Sequence, residues 1–290
     1  MTRSYYGQPV LKAPVWKWCV PAYFFTGGVA AGTTLLATGA RLTGDGDLAR
    51  RCRFAAFGAT AVSAALLIED LGRPARFLNM LRVAKPSSPM SVGSWVLAGF
   101  GGATTVAAAG EVVRLPATVM ALAEGGAAVL APVLGAYTAV LLADTAVPAW
   151  REAYRELPFV FTGSALASAA GLASLLGAGR PATRRAAAAG AALELVASRA
   201  MARRLGALAP QSRLATLATG ATAAGAALSA LRRTAPAGGA LLLVGGVAKR
   251  FDVFRAGVAS ARDPAATIGP QRARVGGGVS PTAGGMGRQE

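Results

Sequence analysis

Residues 19–41 read CVPAYFFTGGVAAGTTLLATGAR, with no Asp, Glu, Lys or Arg before Arg41. A bilayer core of about 30 Å takes about 20 apolar residues at about 1.5 Å of helical rise each. The stretch is long enough to cross. It is too long for the apolar region of a cleaved secretory signal, about 7–15 residues, so it reads as a retained membrane helix. The pattern recurs. Eight apolar segments, near 19–41, 53–69, 91–112, 117–143, 158–178, 185–204, 213–231 and 237–257, predict an all-α integral membrane protein with about eight transmembrane helices. The sixth and seventh are alanine-rich and only weakly hydrophobic. They suit the inside of a bundle, where small residues let backbones approach. Gly28, Gly32, Leu35 and Gly39 form one stripe of the first segment. Gly238, Gly239, Gly245 and Gly246 invite the same packing explanation in the eighth, and neither set has the spacing of a phosphate-binding loop.

The chain has 290 residues, 53% hydrophobic and only 15% charged, with a net charge of +17. Soluble domains carry about 25% charged residues. The basic charge does not point to nucleic acid, because the arginines sit between long apolar runs. Histidine is absent, which argues against a haem-carrying subunit and excludes a histidine-ligated zinc or copper site. Cys19 and Cys52 fall at opposite ends of the first spanning region, too far apart for a disulfide and too few for an iron–sulfur cluster. No metal site is expected. The segment boundaries put roughly two thirds of the lysines and arginines on the side of the N-terminus and C-terminal tail, which makes both termini cytoplasmic in a multi-pass protein of the cell (inner) membrane.

The connection from Glu69 to Met90 is long. Pro74 suits the first turn of a short helix whose Phe77, Leu78, Leu81 and Ala84 make one apolar face, an interfacial helix. Pro86 and Pro89 are expected to end it, with Ser88 capping the next span. Trp16, Trp18, Arg73, Arg76, Arg82 and Lys85 make a basic and aromatic cluster suited to docking a protein partner. Four acids lie in or beside the spans. Asp70, three residues before Arg73, reads as its ion-pair partner. Glu124 and Glu194 lie within helices, where acids pair with neighbouring helices or serve a proton path. Asp144 lies seven residues after Tyr137, on nearly the same helical face.

Several blocks recur in a characteristic order: Tyr5-Tyr6-Gly7, Trp16-Lys17-Trp18, Pro21-Ala22-Tyr23-Phe24-Phe25, Gly27-Gly28 and Asp70-Leu71-Gly72-Arg73-Pro74-Ala75-Arg76-Phe77. Lys85-Pro86-Ser87-Ser88-Pro89-Met90-Ser91-Val92-Gly93-Ser94-Trp95, Tyr137-Thr138-Ala139-Val140-Leu141-Leu142 and Pro148-Ala149-Trp150 follow. In these blocks the chain resembles the polysulfide reductase membrane-subunit family, also called the NrfD family. The resemblance implies two four-helix bundles in one chain, a bound quinone (menaquinone or ubiquinone) and no haem or metal. It implies an iron–sulfur partner of the four-cluster ferredoxin type that wires the quinone to a catalytic subunit, often a molybdopterin enzyme. The substrate site would lie on that partner.

Carried over residue by residue, the resemblance matches Tyr137 to a quinone-contacting tyrosine late in the fourth span. It matches Val20 and Tyr23 to a polar pair at the start of the first. Valine replaces one hydrogen-bonding group and a phenol the other. Asp144 is then the first candidate for proton delivery. The organisation expected is a partner-facing segment over 1–18, a first four-helix bundle with the quinone site over 19–157, a second bundle over 158–260, and an extended or disordered tail over 261–290. The function expected is a quinone-interacting membrane anchor that exchanges electrons between the iron–sulfur partner and the quinone pool. Two alternatives stay open: a multi-pass transporter, and a structural anchor without quinone chemistry, which Val20 keeps in play.

Overall fold

A computed structural model describes residues 11–267 except Pro74, Ala178, Pro210 and Gln211. Tyr5-Tyr6-Gly7, Pro74 and most of the tail lie outside the described residues. The chain is all-helical, with no strand among the described residues. The helices are α1 (Cys19–Leu42), α2 (Gly46–Leu71), α3 (Ala75–Leu81), α4 (Pro89–Ala109), α5 (Ala117–Ala143), α6 (Pro148–Glu152), α7 (Leu157–Leu175), α8 (Pro181–Leu205), α9 (Arg213–Ser229) and α10 (Ala235–Arg262). Each of the eight apolar segments falls on a long helix. Residues 264–267, inside the tail expected to be extended, are helical too.

The boundaries follow from local chemistry. Proline, which needs no amide donor, opens α4, α7, α8 and α10 in their first turn. Asp45 caps α2 by accepting the Leu48 N–H at 3.1 Å, and Ser212 caps α9 through the Ala215 N–H at 3.0 Å. Gly72 ends α2 at φ +68°, a conformation only glycine adopts at no cost. Ser88 takes the N-cap position of α4, but its side chain makes no capping bond. Ser91 fastens this loop instead, accepting the Lys85 N–H at 3.0 Å and donating to the Val83 carbonyl at 2.8 Å. Pro89 belongs to the first turn of α4 and does not terminate the interfacial helix. α3 buries none of its residues.

Five helices, α1, α2, α4, α5 and α7, are long and apolar enough to cross a membrane. The other three long helices fall short for physical reasons. α9 has only 17 residues, about 26 Å of helix. α8 and α10 carry charges within their length, including Glu194, Lys249, Arg250 and Asp252, and all four of these point inward.

α1, α2, α4 and α5 neighbour one another, as do α7, α8, α9 and α10. The two sets meet where α1 packs on α7 and α10, and where α5 packs on α7. A Cβ on Gly32 would lie 2.6 Å from the Ala165 carbonyl oxygen, so α1 and α7 touch nearly backbone to backbone. Gly163 and Gly190 do the same for α7 and α8, Gly171 and Gly239 for α7 and α10, and Gly225 and Gly238 for α9 and α10. The stripe predicted on α1 holds only in part. Gly28 and Gly32 meet Ala165, while Gly39 meets nothing within 4 Å and Leu35 is exposed, because the helices diverge beyond the crossing.

The two ends of the molecule are chemically distinct. At the end opposite the N-terminus, Arg53 pairs with Glu111 and Glu124, and Arg41 with Glu124. Arg180 there joins the second set to the first through Asp45 and Asp47, at 3.1 Å each. At the N-terminal end, Trp150 Nε1 donates to the Val253 carbonyl at 2.8 Å and Arg204 pairs with Glu156 at 2.8 Å. The cysteines are free and buried, Cys19 near one end and Cys52 near the other.

Gly32→Ala should destabilise the protein by about 1–3 kcal/mol, the usual cost of overpacking. Gly39→Ala should be neutral. Unfolding of both variants in detergent checks this.

Candidate functional site

At the N-terminal end, α1, α2, α4 and α5 line a cavity of about 610 Å³, counting its open mouth. Val20 and Tyr23 reach it from the first turns of α1, and Tyr137 and Leu141 from the last turns of α5. Leu66, Leu67 and Asp70 come from the end of α2, Met80 from the α2–α4 connection, and Met90, Gly93 and Ser94 from the start of α4. The three residues singled out by resemblance, Val20, Tyr23 and Tyr137, therefore line one cavity.

Both tyrosines are buried, Tyr23 at 4% and Tyr137 at 9% exposure. Buried tyrosine hydroxyls usually find a partner. Neither hydroxyl is hydrogen-bonded to another described residue, and both side chains line the cavity. Gly93 makes room for Tyr137, because a methyl group at that position would overlap the phenol ring. Gly93 belongs to the block from Lys85 to Trp95, but nothing in the local sequence ties it to a tyrosine 44 residues away.

The acids rearrange the expected picture. Asp144 sits exposed at the C-cap of α5, about 10 Å along the axis from Tyr137, and does not line the cavity. Asp70 does, as the one acid among the described lining residues. It forms no ion pair with Arg73; it accepts the Lys17 backbone N–H at 3.3 Å. The left-handed turn at Gly72 carries Arg73 out to the surface. The signal that could have found Asp70 is its spacing, three and four residues from Leu67 and Leu66 on one helical face.

Glu124 and Glu194 both bond to neighbouring helices. Glu124 takes Arg41 and Arg53 at the mouth of a second cavity, of about 590 Å³, at the far end of the same four helices. Glu194 accepts the Thr222 hydroxyl at 3.2 Å. No group of three or more Cys, Asp or Glu suited to a metal ion occurs among the described residues.

Of the predicted docking cluster, Trp18, Arg73, Arg76, Arg82 and Lys85 are exposed around the cavity end. Trp16 is half-buried. It stacks on Trp150 at 5.8 Å and 17°, against the core, and lines the cavity. Trp150 in turn lies over Phe254 and a notch at Gly257, so Trp16 is linked to α10 through it.

A structure of Gly93→Ala should show Tyr137 driven to another rotamer. Gly102→Ala, whose added carbon would meet nothing within 4 Å, should leave the ring in place.

No curated protein matches the chain. A family profile described as polysulphide reductase, NrfD, matches residues 8–235, most of the chain and all of the cavity. The chain belongs to the polysulphide reductase NrfD family.

Proposed function

We propose that this chain is the quinone-interacting membrane subunit of a multi-subunit respiratory oxidoreductase, exchanging electrons between an iron–sulfur partner and the quinone pool. The observation that carries this reading is the cavity holding two buried phenols whose hydroxyls have no hydrogen-bond partner among the described residues, beside one carboxylate, in a mostly apolar wall. A quinone supplies two-electron, two-proton chemistry. The Tyr23 and Tyr137 hydroxyls are donors suited to carbonyl oxygens. Val20, Leu66, Leu67 and Leu141 offer an apolar slot that excludes water. Asp70 replaces Asp144 as the group that holds or passes a proton, because it alone among these acids faces the cavity.

In this reading all eight long helices cross the membrane as two four-helix bundles, 19–157 and 158–260. The outward faces of the charged helices support it. α8 exposes Val196 at 70% and α10 exposes Val244 at 46%, while their charges at Glu194 and Lys249 are buried. A water-soluble helix would do the reverse. The exposed Trp18, Arg73, Arg76, Arg82 and Lys85 form the docking face for the iron–sulfur subunit, at the cavity end, which keeps the electron path short. A molybdopterin subunit fits as the catalytic partner beyond it. The charge bias supports a cell-membrane protein with both termini in the cytoplasm.

Tyr137→Phe should leave the complex assembled but slow quinone turnover, since one hydroxyl bond is worth about 0.5–1.5 kcal/mol net and more if it strengthens as the reaction proceeds. Asp70→Asn should slow it as well, whereas Asp144→Asn should not. The measurement is quinol-coupled activity of the assembled complex beside dye-linked activity of its soluble part. Unchanged quinone turnover in both Tyr137→Phe and Asp70→Asn would leave the structural-anchor reading.

A further inference from the structure

Four charged side chains are buried in α8 and α10, at 1% exposure for Glu194, 3% for Lys249, 1% for Arg250 and 2% for Asp252. None lines the cavity around Tyr23 and Tyr137. A charge at membrane depth costs about 2.5–3.5 kcal/mol even on insertion scales, so four in one region call for a role. Glu194 is ringed by three helices. It accepts the Thr222 hydroxyl from α9 at 3.2 Å, the Ser164 hydroxyl lies beside it on α7, and Lys249 and Arg250 face it from α10.

The cluster connects in two directions. Lys249 also acts on Asp252, three residues further along α10. Asp252 accepts the Ser212 hydroxyl at 2.6 Å and lines an open cavity of about 1,120 Å³ at the N-terminal end, shared with Arg255, Ser260 and Asp263. In the other direction, Arg250 Nη2 donates to the Phe161 carbonyl at 2.9 Å and Nε to the Phe24 carbonyl at 3.3 Å. Phe24 is part of the wall around Tyr23 and Tyr137.

We propose that Glu194 is a proton-exchanging carboxylate, filled from the N-terminal end by way of Asp252 and Lys249 and coupled through Arg250 to the quinone cavity. A proton from water in the open cavity passes to Asp252 and moves inward past Lys249. It ends on a Glu194 oxygen, which is ionised before and neutral after. The transfer removes one negative charge opposite Lys249 and Arg250. Arg250 is tied to the Phe24 carbonyl, so the change is felt at the cavity wall. Only this coupling rests on the quinone reading.

The test is infrared difference spectroscopy of the full chain in lipid nanodiscs. A protonated carboxyl band, assigned by its loss in Glu194→Gln and its displacement in Glu194→Asp, should grow as the pH is lowered across the range in which the chain stays folded. It should exchange in D2O, and Asp252→Asn should slow that exchange about tenfold or more, the equivalent of about 1.4 kcal/mol. No such band at any of these pH values, or equal exchange rates in Asp252→Asn and the parent, would overturn the proton site. A quinone analogue that binds should shift the band. Binding without a shift would overturn the coupling. Failure of the analogue to bind would fault the quinone reading instead, while the exchange measurement still decides the proton site.

Discussion

The close approach of α1 and α7 at Gly32 and Ala165 is the constraint on which the rest depends. A side chain at position 32 would collide with a backbone carbonyl, so the two most enclosed helices meet with almost nothing between them. In lipid there is little hydrophobic drive to bring helices together, and close van der Waals contact takes its place. The crossing joins the two sets of helices.

From that crossing the polar chemistry sorts to particular places. Arg41, Arg53, Glu111 and Glu124 pair at one end, where α1, α2, α4 and α5 open a second cavity. The phenols and Asp70 occupy the other. Between the two ends the core is apolar, with Phe100, Leu97, Leu134 and Ala131 filling it. Several threonines buried there return their hydroxyls to carbonyls one turn back, as Thr33 does to Val29 at 2.7 Å, whereas the buried Thr138 hydroxyl has no hydrogen-bond partner among the described residues.

The candidate site was partly legible. Tyr23, Tyr137 and Val20 stood out by resemblance, and the structure brings them into one cavity. Asp144 stood out by helical phase alone, and phase says only which side of α5 it shares with Tyr137. Two further turns carry it past the cavity to the helix end, where it is exposed. Asp70 was assigned to Arg73 on sequence distance, but Gly72 reverses the chain between them and separates the pair. Sequence proximity groups Trp16 with Trp18, but stacking on a tryptophan 134 residues away leaves it half-buried against the core.

The sequence by itself determined that the chain is helical, that long apolar segments recur along it, and that it belongs to this family. Apolar length and local turn chemistry are properties of neighbouring residues, and a family motif is a string. Only the tertiary structure decided which acid faces the phenols, which glycines form crossings, and why α8 and α10 tolerate charge. Those outcomes depend on what another helix presents at the same depth. Glu194 is accommodated because the Thr222 hydroxyl from α9 bonds to it and the charges of Lys249 and Arg250 on α10 act on it, and no local window of sequence contains that meeting.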